Sequence, residues 1–249
     1  MRRLCSAVLL AAFVAGCGGS DGSTRLVVSA ASSMNEALGQ CAPDFGKAEN
    51  ADVRLSFGGS DELAAQIRQG AKIDVYAAAN TRLPADLNGD LLVEEPVEFA
   101  TNELVLAVPE DSSIGSLDDL TRERAKLAIG SESVPIGIYT RETLAKLPSD
   151  QEQAILAQVR SNEPDVKGIV GKLTQGAVDA GFVYVTDVKA AGGALRAVKL
   201  PEELEPQATY AAAVVTKAQQ PDLARKFVDD LTTGACADAL RRAGFGPAP

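Results

Sequence analysis

Short apolar runs alternate with stretches of helical periodicity along most of the chain. Leu26 to Ala30 reads as a strand, and the amphipathic stretch from Met34 to Glu49 as a helix. Val53–Phe57 and Asp74–Ala78 predict two more strands, separated by a helix over Asp61–Gln69 that Gly70 closes. Strands follow at Leu104–Val108, Lys126–Ile129 and Ala180–Val185, with helices at Tyr139–Lys146, Gln151–Ser161 and Val166–Gln175. A last strand, Tyr210–Thr216, precedes a helix over Pro221–Thr232 and a tail through Phe245. Short strands interleaved with helices predict an α/β architecture with mainly parallel sheets. Phe99–Asn102 and the acidic, proline-bounded Pro201–Pro206 are expected to cross between two lobes. One lobe would hold residues 25–100 and 207–249, the other residues 101–206.

The first residues break this pattern. Arg2 and Arg3 precede an apolar run from Leu4 to Ala15, then small residues lead into Cys17. That order is a secretory signal over residues 1–16. The run is shorter than the ~20 residues that cross a bilayer. Val14-Ala15-Gly16-Cys17 resembles a bacterial lipobox, in which the cysteine is acylated and becomes the mature N-terminus. The other reading is ordinary cleavage beside an incidental cysteine. Residues 17–24 are Gly/Ser-rich and read as a lipid-anchored tether. The body is therefore expected outside the cell, held to the outer face of the membrane by lipid on Cys17.

Charge narrows the partners. The chain carries a formal −10, and loss of the leader, with its two arginines and no acid, takes it to −12. So acidic a surface argues against nucleic-acid binding, and any bound anion must be held by local donors instead of bulk charge. Of the remaining cysteines, Cys5 lies in the leader, which leaves Cys41 and Cys236 either as a disulfide of an exported protein or as two separate buried thiols. The chain has no histidine. That removes the usual general base and the Ser-His-Asp triad, so no catalytic residue is expected.

Four strand-to-helix corners share one character: small, hydroxyl or glycine residues and no Lys or Arg within the corner. Helix N-termini expose unsatisfied N–H groups and partial positive charge, so such corners bind anions. In the first, Ser33 with Glu36 fits a capping box. In the second, Gly58-Gly59 precede Ser60 and a first turn rich in acids. In the third, Pro135 has no N–H, so Ile136 and Gly137 are expected to offer the first free amides. The fourth pairs Asp165-Val166, a cap and first turn, with Tyr184 at a strand end, whose hydroxyl is a donor for the cleft or a core group with an internal partner. Taken singly, each corner is equally an ordinary turn and cap.

Their order and wording together resemble the periplasmic molybdate-binding proteins of ABC transporters. The likeness runs through LVVSAASSMNEAL, LSFGGSDELAAQIRQGAKIDVYAAAN, FATNELVLAVP, VPIGIYTRETL, DVKGIV, GFVYVTDV and the closing ARKFVDDL and GFGP, nearly the whole chain after the tether. It implies a two-lobed type II periplasmic binding fold with a tetrahedral dianion in the interlobe cleft. It also implies a donor set: the hydroxyls of Ser33 and Ser60, the backbone amides of Ile136 and Val166, and the hydroxyl of Tyr184. Ile136 departs from the alanine usual there, though a main-chain N–H survives that change. Molybdate or tungstate is the implied ligand, with molybdenum met only inside the oxyanion, no direct metal ligand and no cofactor. The implied partner is an ABC permease, with the chain itself a monomer. Sulfate or another oxyanion is the alternative cargo. An iron(III) carrier wants paired tyrosines, and Tyr76, Tyr139, Tyr184 and Tyr210 are far apart in sequence. A serine hydrolase lacks both a histidine and a G-x-S-x-G elbow.

Overall fold

Strand β1 (Thr24–Ala31) is buried almost throughout from Leu26 onward, as a central strand covered on both faces must be. The computed structural model describes residues 24–204 and 206–249. The leader, the lipobox with Cys17 and all of the tether before Thr24 lie outside the described residues. Among those residues no helix is long and apolar enough to cross a membrane.

After a 3-10 turn at Ser32–Met34 come α1 (Asn35–Ala48), β2 (Ala51–Gly58), α2 (Ser60–Arg68), β3 (Val75–Ala78) and α3 (Arg82–Gly89). The long β4 (Val97–Pro109) leads to α4 (Leu117–Arg122), β5 (Leu127–Gly130), α5 (Pro135–Leu144), α6 (Ser149–Leu156) and β6 (Val159–Glu163). Then come α7 (Val166–Thr174), β7 (Ala180–Tyr184), α8 (Val185–Ala190), β8 (Leu195–Val198), β9 (Gln207–Val214), α9 (Pro221–Thr233) and α10 (Ala235–Ala243).

The strands run β2-β1-β3-β9-β4-β7-β5-β6, with β8 also on β4. The outer strands are parallel, β2 and β3 to β1 and β6 and β7 to β5, each reached through a helix. β9 and β4 instead run antiparallel to the neighbours they meet. β4 serves both halves: Val97–Glu103 pairs with β9, and from Leu104 onward the strand pairs with β7 and β8.

One predicted helix is corrected. Gln151–Ser161 does not continue as helix; α6 stops at Leu156 and residues 159–163 form β6 beside β5. β6 is an edge strand of mostly polar residues, so it lacks the apolar run that marks a buried strand. The tail also holds α10, whose Cys236 is joined to Cys41 of α1 as a disulfide, with Cα atoms 5.0 Å apart. Buried Asp74 ties the ends of this half together. Its Oδ2 accepts the Val27 N–H at 2.8 Å, and its Oδ1 accepts those of Gln219 and Gln220 at 2.6 and 3.1 Å, just before α9.

Candidate oxyanion site

The strand-to-helix corners of both halves of the sheet meet at one small cavity of about 10 Å³, about the space one water needs and far below the roughly 300–1,000 Å³ of pockets that hold drug-sized ligands. Its wall includes Ser33, Ser60, Ile136, Val166 and Tyr184, so the five predicted residues come together. Ser32, Gly59 and Ala79 join them, and no lining residue carries a charge.

Ser33 is placed by the 3-10 turn between β1 and α1. The capping box predicted for it does not form. α1 begins at Asn35 behind Met34, with no side-chain cap bond. The extra tight turn carries Ser33 away from the helix amides, so its Oγ lies 2.9 Å from the Tyr210 hydroxyl. Glu36 is drawn off to Lys167, 2.9 Å away. Ser60 is likewise the first helical residue and not the cap, which is Gly59. Its Oγ accepts the N–H of Ala79 at 3.1 Å, while its carbonyl accepts the Tyr76 hydroxyl at 2.7 Å.

Ile136 stands second in α5, behind Pro135. The expectation that Ile136 and Gly137 both offer free amides is half corrected: Gly137 N–H donates to the Val134 carbonyl at 2.9 Å, and Ile136 keeps an amide with no acceptor among the described backbone bonds. Two glycines let this helix start crowd the end of β5. A Cβ on Gly130 would fall 2.5 Å from Gly137 N, and one on Gly137 1.8 Å from the Ser131 carbonyl. Val166 opens α7, whose cap Asp165 accepts the Gly168 N–H at 3.0 Å, while the Val166 amide has no acceptor among the described backbone bonds. Tyr184 ends β7 fully buried, and its hydroxyl has no hydrogen-bond partner. Burial pushes that phenol well above its usual range, so it stays protonated and able to donate.

A buried unpaired hydroxyl is costly, and here it lines a cavity beside two serine hydroxyls and the N-terminal amides of α5 and α7. Such a set of neutral donors and helix N-termini suits an anion. The two sides also touch. Lys167 reaches Glu36, Ser133 Oγ donates to Asp61 Oδ2 at 2.5 Å, and a Cβ on Gly59 would fall 2.4 Å from the Pro164 carbonyl.

Sequence separation misled on the tyrosines. Tyr184 and Tyr210 meet edge to face with ring centroids 5.9 Å apart. Tyr210 is nonetheless spent on Ser33 and Asn102, and burial raises its phenol. No cluster of three or more acids, cysteines or histidines suited to a metal exists among the described residues.

A sheet split between two halves by a shared strand, with a donor-lined, uncharged cavity where the helix starts converge, defines a solute-binding protein of the type II periplasmic fold. The chain belongs to the bacterial extracellular solute-binding proteins, whose family model matches residues 26–246. A relative from Mycobacterium tuberculosis named molybdate-binding protein ModA is 35% identical, over 97% of this chain and 95% of its own. The ModA of Haemophilus influenzae is 30% identical over 94% and 95%. The Azotobacter vinelandii periplasmic molybdate-binding protein shares the fold at a TM-score of 0.79, with 18% identity over 90% of this chain and all of that one.

Proposed function

We propose that this protein captures molybdate, and its near-isostere tungstate, in the cavity and delivers it to the permease of an ABC transporter. The observation that carries this is the convergence of five neutral donors on one small space: the hydroxyls of Ser33, Ser60 and Tyr184 and the amides of Ile136 and Val166. The relatives named ModA support the same cargo. A dianion taken from water needs a partner for each lone pair it loses. Each charge-assisted bond contributes about 1.5–3 kcal/mol net, so five support sub-micromolar binding at about −8 kcal/mol or better. A binding protein for transport, and not an enzyme, is what this geometry serves.

Closure is assigned to a hinge in β4 and in the segment before β9. It would bring Ser33 and Ser60 of residues 25–100 and 207–249 onto Ile136, Val166 and Tyr184 of residues 101–206. The mature protein is a monomer held to the outer face of the membrane by lipid on Cys17. Cys17→Ser should release it from the membrane fraction.

Competitive calorimetry with molybdate, tungstate, sulfate and phosphate tests the cargo. Molybdate and tungstate are expected to bind alike and far above the others; binding of sulfate alone would replace the cargo. The double variant Ser33→Ala, Ser60→Ala should lose at least about 100-fold in molybdate affinity, on the order of 3 kcal/mol for two charge-assisted bonds. Unchanged affinity would remove the site.

A further inference from the structure

Three of the five cavity donors have a member of one ionic network close by in the chain. Glu36 lies three residues beyond Ser33, Lys167 directly follows Val166, and Asp187 lies three residues beyond Tyr184. Lys167 joins the other two: its ammonium is 2.9 Å from each Glu36 carboxylate oxygen and 3.2 Å from Asp187 Oδ1. Asp187 is fully buried, and its Oδ2 accepts the Tyr184 N–H at 3.2 Å. Its Oδ1 has no hydrogen-bond partner among the described residues, so the Lys167 charge is what compensates it there.

Lys167 does not line the cavity. Its ammonium is committed to carboxylates on α1 and α8, so it is not offered to a bound anion. What it holds instead are helix starts. α7, which opens on Val166, packs both on the 3-10 turn that carries Ser33 and on α8, which follows Tyr184. The Lys167–Asp187 pair fixes the first turn of α7 against the first turn of α8, and the Glu36 arm adds the start of α1 from the other half.

We propose that Lys167 and Asp187 are positioning residues, which set the spacing of the Val166 amide and the Tyr184 and Ser33 hydroxyls around the oxyanion. This rests on the oxyanion reading above. The two arms are unequal. Glu36 is nearly half exposed, so water competes for it, whereas Asp187 is sealed from water. The Asp187 arm therefore carries most of the effect, within one half of the molecule. Outer partners that orient the groups around a bound metal are worth about 10–100-fold in affinity. An oxyanion held by a few fixed donors makes the same demand on placement.

Lys167→Met alone would strand a buried charge, so the test uses the double variant Lys167→Met, Asp187→Asn. The new amide oxygen can still accept the Tyr184 N–H. The variant is expected to melt close to the wild type, since replacing a buried ion pair by neutral groups is often harmless to stability. Its molybdate affinity by calorimetry should nonetheless fall at least about tenfold, beyond the about two- to fivefold expected of Glu36→Gln. Near-UV circular dichroism gives a second readout, as the chain has four tyrosines and no tryptophan. The part of the molybdate-induced change that Tyr184→Phe abolishes should shrink in the double variant even at saturation. An affinity loss no greater than that of Glu36→Gln, or a full tyrosine signal, would overturn the proposal. So would a double variant that does not fold, which would make the pair structural. Failure of the wild type to bind any oxyanion would instead remove the reading on which it stands.

Discussion

Lys167 Nζ holds both carboxylate oxygens of Glu36 at 2.9 Å, and so ties the first turn of α7 to the first turn of α1 across the cavity. The same ammonium lies 3.2 Å from Asp187 Oδ1. Burial works against its charge, but Asp187 and Glu36 outweigh that and raise its pKa overall. Glu36 is nearly half exposed, so the pair is worth no more than about 1 kcal/mol. Glu36→Gln should therefore weaken molybdate binding by about two- to fivefold, mainly through faster release. Stopped-flow dissociation measures this, and an unchanged release rate would show that the pair does not hold the closed form.

Asp187 adds a pH dependence of unusual sign. Full burial pushes its carboxyl up to about 6, with Lys167 offsetting only part of the cost. Unfolded, it titrates at about 3.9. Between roughly pH 4 and 6 the folded protein holds a proton that the unfolded chain has released, so stability falls as pH rises through that window. Asp187→Asn removes this dependence while its amide oxygen can still accept the Tyr184 N–H. The variant should gain on the wild type by about 1–3 kcal/mol between those limits. Parallel urea-unfolding profiles against pH would contradict it.

Gly59 offers a way to separate closure from folding. Its backbone sits at φ −64° and ψ 133°, which any residue adopts. An added methyl would meet the Pro164 carbonyl across the cavity at 2.4 Å. Gly59→Ala should therefore fold as stably as the wild type without ligand, yet bind molybdate at least about tenfold more weakly, as overpacking costs of 1–3 kcal/mol imply. Small-angle scattering with and without molybdate reads the outcome. Full compaction of the variant would refute it.

The Cys41–Cys236 disulfide closes a loop over a sequence separation of 195 residues. Constraint of so long a loop in the unfolded chain stabilises by about 3–5 kcal/mol. Cys41→Ala with Cys236→Ala should lower the melting temperature by several degrees and leave molybdate affinity nearly unchanged, because neither cysteine lines the cavity. A large affinity loss would tie α10 to the site.

The strand-to-helix corners were legible because serine, glycine and proline at a helix start mark where amides are left open, whatever lies elsewhere in the chain. What those serines bond to was not. Ser33 and Glu36 carry the spacing of a capping box, but each has a stronger partner supplied by tertiary structure, Tyr210 and Lys167, 177 and 131 residues away. The polar edge strand β6 read as the end of α6 because only one of its faces is covered. Tyr184 could be placed at a strand end but not beside Tyr210, since only the pairing of β4 with both β7 and β9 brings them together.

An uncharged cavity inside a protein of formal charge −10 has a consequence for kinetics. At a distance the approaching anion meets repulsion, and only on contact does it meet the aligned hydrogens of Ser33, Ser60 and Tyr184. Dissolved ions screen the first effect within about 8–10 Å and leave the second, shielded inside the closed halves, nearly untouched. Brine should therefore quicken capture without loosening the grip, the reverse of what a receptor built on lysine and arginine would show.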